Sequence, residues 1–121
     1  MVSKAQAKYV RMAPRKIRLV IDLVKNKSVE EANFILNSLN KRAGEPLKKV
    51  IGSAFSNANQ NRQEKYLAKD LVISRIGVDG GPMLRRYRAM TMGRAGIIRH
   101  RTAHIYVELN VATEKAAAKK V

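Results

Sequence analysis

Apolar residues recur at helical spacing just after residue 13. Pro14 suits the first turn of a helix, because a proline lacks the N–H that this turn leaves without a partner. Four apolar positions then share one helical face, namely Ile17, Val20, Ile21 and Val24. The pattern predicts a first helix over residues 14–25.

Two more helical stripes follow. Ser28 and Glu31 have the spacing of a capping box, in which the two side chains accept hydrogen bonds from N–H groups of the first turn that have no partner within the helix. The apolar positions behind this box are Ala32, Ile35, Leu36 and Leu39. Those of the third stripe are Leu47, Val50, Ile51, Ala54 and Ala58. Pro46 fits the third helix only in its first turn or at a bend, and we expect this helix to end near Asn59.

The second half of the chain has the pattern of β-strands. Residues 104–111 (HIYVELNV) alternate strictly between polar and apolar, and residues 70–79 (DLVISRIGVD) are rich in β-branched side chains. We expect residues 71–78 and 104–111 to pair antiparallel under the helices, with residues 5–12 as a weaker third strand. The predicted fold class is α+β, with three helices packed on a small three-stranded antiparallel sheet and a long protruding β-hairpin.

The hairpin follows from this pairing. Residues 79–103 must leave the body at Gly80 and Gly81, turn near residues 91–93 and return. Each arm of about a dozen residues would reach ~40 Å at ~3.3 Å per residue. A compact chain of this length has a radius of gyration of only ~14 Å. Because an isolated two-stranded ribbon is marginal in water, we expect the arm to be embedded in a partner.

Charge indicates what that partner is. The chain has 25 Lys and Arg against 9 Asp and Glu, a net charge of +16, and a surplus of this size usually marks a polyanion partner. No acidic residue lies between Asp79 and Glu108, and no Lys lies between Lys69 and Lys115, so every cation of the arm is an arginine, which binds phosphate bidentately. The plainer alternative is a solvated run of charge.

Other classes of protein fit poorly. The 121 residues suit one domain, which we place at residues 1–112 including the hairpin 79–103, with a flexible basic tail at 113–121. The sequence has no apolar run of about 18 residues, no signal peptide and no Cys, which favours a cytoplasmic protein that does not insert into membranes. We find no catalytic grouping, and His100 and His104 would lie ~13 Å apart on a strand, so neither an enzyme, a metal site nor a cofactor is predicted.

Several separated blocks resemble those of one protein family. They are residues 13–16 (APRK), 18–20 (RLV), 26–32 (NKSVEEA), 40–58 (NKRAGEPLKKVIGSAFSNA), 78–82 (VDGGP) and 93–107 (GRAGIIRHRTAHIYV). In order, over roughly residues 7–111, they are similar to the bacterial large-ribosomal-subunit protein L-twenty-two family. The resemblance implies a body on the subunit surface, a hairpin threaded through large-subunit ribosomal RNA, and a tip that lines the tunnel for the nascent peptide.

The resemblance also implies partners and contact residues. Expected partners are large-subunit ribosomal RNA, neighbouring large-subunit proteins and the nascent peptide, without a homo-oligomer. The candidate RNA contacts are Arg11, Arg15, Lys16, Arg18, Lys25, Lys41, Arg42, Lys49, Asn57, Asn61, Arg85, Arg86, Arg88, Arg94, Arg99, His100, Arg101, Thr102 and His104. The candidate tunnel-facing tip is Arg88, Ala89, Met90, Thr91, Met92 and Gly93. In the family the tip usually carries a Pro and basic residues, whereas this chain has Met90 and Met92 there. We expect these two methionines to contact either the passing peptide or an RNA crevice.

Two alternatives stay open at this point. An architectural DNA-binding protein also uses a basic β-arm, although such arms usually end in an apolar or Pro wedge and belong to a dimer. A binding assay in which folded ribosomal RNA and duplex DNA compete for the chain distinguishes an RNA-binding protein from a DNA-binding protein. An enzyme acting on RNA would need an acid and base grouping that the sequence does not offer.

Overall fold

The computed structural model describes residues 2–60 and 63–112, in which three α-helices and two antiparallel sheets are formed. In chain order the elements are β1 (Ser3–Val10), α1 (Pro14–Val24), α2 (Val29–Ser38), α3 (Gly44–Asn59), β2 (Leu71–Gly80), β3 (Leu84–Ala89), a 3₁₀ turn (Thr91–Gly93), β4 (Ala95–His100) and β5 (Ala103–Val111). This is the predicted α+β architecture. Asn61 and the predicted tail at 113–121 lie outside the described residues.

The helices begin where their sequence signals are. Pro14 occupies the first turn of α1, and the four residues of its apolar stripe are all buried. Ser28 Oγ accepts a hydrogen bond from the Glu31 N–H at 3.2 Å, which confirms the cap of α2. Pro46 lies in the first turn of α3, where its missing N–H breaks no hydrogen bond. Leu39 has extended backbone and therefore falls just beyond α2 rather than within it.

One sheet has the order β1-β5-β2, and its buried face carries the core. Residues of β5 alternate between buried and half-buried, with Ile105, Val107 and Leu109 turned toward the helices. The fully buried side chains of α1 and α3, Ile17, Leu47 and Ile51, complete this core. On the other face Gly77 lies opposite Tyr106, whose hydroxyl occupies the space that a Cβ at residue 77 would need.

A β-bulge explains the broken alternation of β2. Ile73 pairs with Leu109 and Arg75 pairs with Glu108, so Ser74 is the extra residue. The extra residue shifts the phase of the strand by one position, which keeps Ile76 and Val78 on the same buried face as Ile73. Ser74 Oγ donates to the Glu108 carbonyl at 3.1 Å.

The hairpin forms a separate two-stranded sheet, β3 with β4. β2 and β5 stay paired as far as Gly80 and Ala103, and the hairpin ladder then has six pairs, from Leu84–His100 to Ala89–Ala95. Six residues span ~20 Å. The ladder is interrupted because Pro82 has no N–H to donate. We call residues 81–101 the arm.

Candidate nucleic-acid interface

A groove of about 970 Å³ lies where the arm meets the body. Four stretches separated in sequence form its walls: the β1–α1 loop, one side of α1, the α2–α3 loop, and the end of β4. The residues that line it are Arg11, Met12, Ala13, Lys16, Leu19, Val20, Leu23, Leu39, Lys41, Arg42, Ala43, Arg99, His100 and Arg101.

The rim of the groove is strongly basic. Its cationic side chains are Arg11, Lys16, Lys41, Arg42, Arg99 and Arg101, with His100 beside them. All seven are exposed, and none of the described residues that line the groove carries a carboxylate. The structure thus brings together seven of the predicted RNA contacts, which the sequence places up to 90 positions apart (Arg11 to Arg101). Cations that converge on one concave surface concentrate the field there, which favours an anionic ligand.

Two exposed apolar side chains of the groove, Leu19 and Leu23, were not singled out by the sequence prediction, and we call this pair its floor. Leu19 and Leu23 are 70% and 46% exposed, although both are leucines on a helix that packs against the core. A signal for them exists in the sequence, because they are four residues apart and lie off the buried stripe of α1. Apolar side chains in that position do not serve the core, so they are available to a ligand.

One face of the arm places two arginines against each other. Arg85 lies directly opposite Arg99, and Tyr87 lies directly opposite Ile97 on the same face. Like charges in directly opposed positions of an antiparallel pair destabilise it, and Cβ atoms there are only ~5 Å apart. Both arginines are exposed, so a phosphate group between them would replace this repulsion with two charge-assisted contacts.

The other face of the arm carries Arg86 and Arg88. Arg86 is opposite Ile98, and one of its terminal nitrogens donates to the Arg85 carbonyl at 2.8 Å. Arg88 is opposite Gly96, and the Met90 side chain covers this glycine, occupying the space that a Cβ would fill. Arginines are therefore exposed on both faces of the arm.

The predicted tip, residues 88–93, is exposed throughout. Met92 is 94% exposed and has left-handed backbone, with φ of 60°, followed by Gly93 with φ of 72°. The Met90 N–H donates to the Arg94 carbonyl at 2.7 Å and closes the turn. Residues other than glycine rarely adopt this backbone conformation, and at Met92 it directs a large apolar side chain outward at the end of the arm.

Five predicted contacts lie on the body outside the groove. They are Arg15, Arg18, Lys25, Lys49 and Asn57. Arg18 donates to the Val78 carbonyl at 3.2 Å and so ties α1 to β2. Asn57 donates to the Lys4 carbonyl at 3.1 Å and ties α3 to β1. Both side chains thus have structural partners within the chain.

Thr102 and His104 belong to the junction between the two sheets. Thr102 is only 4% exposed, and its hydroxyl donates to the Pro82 carbonyl at 2.6 Å. His104 Nδ1 accepts from the Tyr9 N–H at 3.1 Å, and the two rings meet edge to face with centroids 4.9 Å apart. The Thr102 contact holds the base of the arm and the His104 contacts tie β5 to β1, so both side chains have structural partners within the chain.

The described residues offer neither a metal site nor a helix that could span a membrane. Within residues 2–60 and 63–112, no three His, Asp or Glu side chains are placed to hold a metal ion. None of the helices in these ranges combines the length and apolar character needed to cross a membrane.

Known proteins of one family are similar to this chain over most of its length. Residues 5–110 match the family model described as Ribosomal protein L22p/L17e. The chain is 46% identical over 115 residues to the large ribosomal subunit protein uL22 of Halothermothrix orenii, covering 95% of this chain and 97% of that protein. It is 46% identical over 110 residues to uL22 of Syntrophus aciditrophicus, covering 91% and 98%. It is 44% identical over 117 residues to uL22 of Deinococcus deserti, covering 97% and 83%.

Proposed function

This chain belongs to the ribosomal protein L22p/L17e family and is a structural, non-enzymatic component of the cytoplasmic large ribosomal subunit, and from this premise we propose that it binds large-subunit ribosomal RNA through one continuous basic surface. The surface consists of the groove and both faces of the arm. The arm lies within folded RNA, and the remainder of the body contacts neighbouring ribosomal proteins at the subunit surface.

The observation that carries this proposal is the unbroken run of cations from the groove onto the arm. Arg99 and Arg101 are in the groove, Arg85 is opposite Arg99, and Arg86 and Arg88 continue toward the tip. The sequence has no acidic residue from 80 to 107, so nothing within this stretch neutralises them. A chain of phosphates provides negative charge at regular spacing along the same path.

RNA also explains why the arm has no core of its own. Every described residue from 79 to 101 is exposed or half-buried, and a two-stranded ribbon of this kind is marginal in water. Folded RNA supplies both packing and opposite charge. Since the major groove of A-form RNA is too narrow for side chains, the arm reads the shape and the phosphates of the RNA rather than its base edges.

We further propose that the tip, residues 88–93, faces the tunnel through which the nascent peptide leaves. This assignment comes from the family resemblance, and the exposure of Met92 supports it. Methionine is flexible and polarizable, so it suits contact with passing peptides of varied sequence.

Crosslinking from the tip tests this assignment. The chain has no Cys, so Met92→Cys introduces a single thiol that can carry a photoactivatable group. In ribosomes stalled with a labelled nascent peptide, we expect position 92 to crosslink to the peptide. The control is Asn37→Cys, an exposed position on α2. Equal crosslinking from both positions, or none from position 92, contradicts the tunnel assignment.

A further inference from the structure

The apolar floor of the groove is not accounted for by phosphate binding. Leu19 and Leu23 are exposed in the middle of a surface whose rim carries six Lys and Arg side chains. Phosphate contacts need only the rim, and an exposed leucine pair gains nothing from them. A ligand that combines negative charge with an apolar surface would use both the rim and the leucine pair.

We propose that the groove binds one unpaired nucleotide of the RNA, with its base against Leu19 and Leu23 and its flanking phosphates on Lys16, Arg42 and Arg99. This inference rests on the proposed function, since it specifies which feature of the RNA the body reads. Proteins recognise RNA sequence mostly through unstacked bases of loops and bulges, which they bind on apolar side chains or on guanidinium planes. Both kinds of surface meet in this groove.

Size and charge favour a nucleotide as the occupant. A volume of about 970 Å³ leaves room for one nucleotide with its two flanking phosphates, and the charge of the rim favours it. The six rim cations have no carboxylate among the described lining residues, and they lead directly onto the arm. An RNA strand carries a charge on every nucleotide and continues along that path, whereas an apolar peptide would need a cluster of acidic residues to match the rim.

Binding by the intact chain to two short RNA duplexes tests the proposal. One duplex contains a single bulged 2-aminopurine, and the other is fully paired with the same number of phosphates. Leu19→Ser together with Leu23→Ser removes the apolar floor and leaves every cation in place. Leu19 and Leu23 are 70% and 46% exposed and lie off the buried stripe of α1, so we expect the double variant to fold, and its melting curve checks this. Leu67→Ser is the matched control, because Leu67 is 56% exposed and lies outside the groove.

The unmodified chain and the control are expected to bind the bulged RNA about tenfold more tightly than the paired RNA, since partial burial of a base and two leucines is worth about 1.4 kcal/mol. The double variant should bind both RNAs equally, with its affinity for the paired RNA and its salt dependence unchanged. The 2-aminopurine emission should change on binding to the unmodified chain and not to the double variant.

Three outcomes overturn the inference. The first is equal binding of both RNAs by the unmodified chain, and the second is a preference for the bulge that survives in the double variant. The third concerns competition by an acidic leucine-rich peptide. If this peptide displaces the bulged RNA but not the paired RNA, and does so at a lower concentration than free bulged RNA, the groove is a peptide site. These results leave the proposed function intact, whereas failure of the unmodified chain to bind either RNA overturns the proposed function together with this inference.

Discussion

At the scale of single residues, Arg85 and Arg99 indicate that the arm binds a partner outside the chain. They are directly opposite on an exposed face of the arm, where like charges weaken strand pairing. A structure that relied on its own contacts would place a carboxylate at one of these positions. The guanidinium pair instead suits a phosphate, which each arginine can bind through two parallel hydrogen bonds.

Arg85→Ala is therefore expected to change the salt dependence of RNA binding. For a large-subunit RNA fragment, log K falls linearly with log salt, and the loss of one phosphate contact should reduce the slope by about 0.7 to 0.9. Titrations at several salt concentrations measure it. Arg75→Ala is the matched control, because Arg75 lies over the Tyr106 ring on the outer face of the body sheet, 5.6 Å from its centroid, and outside the proposed surface. A slope that is the same for Arg85→Ala and the unmodified chain would remove Arg85 from the phosphate contacts.

At the scale of elements, periodicity predicted the helices and the body strands because their side chains sort by burial along one face. The stripe of α1 and the alternation of β5 are both seen in the structure. The bulge at Ser74 was not predicted, since the sequence does not show which residue lacks a partner across the sheet. The interruption of the ladder at Pro82 was not predicted either, because strand ends depend on pairing as well as on pattern.

The groove was beyond sequence reasoning for a different physical reason. Its rim combines Arg11, Lys41 and Arg101, which come together only when the β1–α1 loop, the α2–α3 loop and the end of β4 pack around α1. The sequence identified each cation as a candidate contact. It could not show that they share one concave surface, nor that Leu19 and Leu23 form its floor.

Removal of the arm tests whether it is independent of the body. Leu84 and His100 are opposite each other, so an Asn-Gly turn in place of residues 85–99 closes the ladder at an existing pair. Because no described residue from 79 to 101 is buried, stability of the free protein should stay within about 1 kcal/mol of the parent. Urea unfolding measures this stability.

The urea unfolding assay needs a positive control, namely a variant that is expected to lose stability. Val50 is 4% exposed in α3, and Val50→Ala should cost roughly 1 to 4 kcal/mol through the cavity it leaves in the core. If the arm deletion is as destabilising as Val50→Ala, the arm is part of the cooperative unit, and its description as an element supported by RNA is wrong.

Across the whole molecule, charge is divided between two regions. All nine acidic residues of the sequence lie before residue 80 or after residue 107, whereas the arm between them has arginine as its only side chain with a permanent charge. A net charge of +16 destabilises the free chain by self-repulsion, and a polyanion that binds the arm and groove relieves it. The fold thus supplies a body with its own core and an arm that, in our proposal, ribosomal RNA completes.

Hydroxyl-radical cleavage from the tip tests most directly whether the arm lies inside folded ribosomal RNA. A radical source attached at Met92→Cys in assembled large subunits should cleave ribosomal RNA at nucleotides of the subunit interior, away from its outer surface. The same source at Asn37→Cys, on the exposed side of α2, should give no cleavage at those interior nucleotides. Cleavage from position 92 confined to nucleotides on the outer surface of the subunit, or absent while position 37 cleaves, would show that the arm lies outside the RNA and would contradict the account.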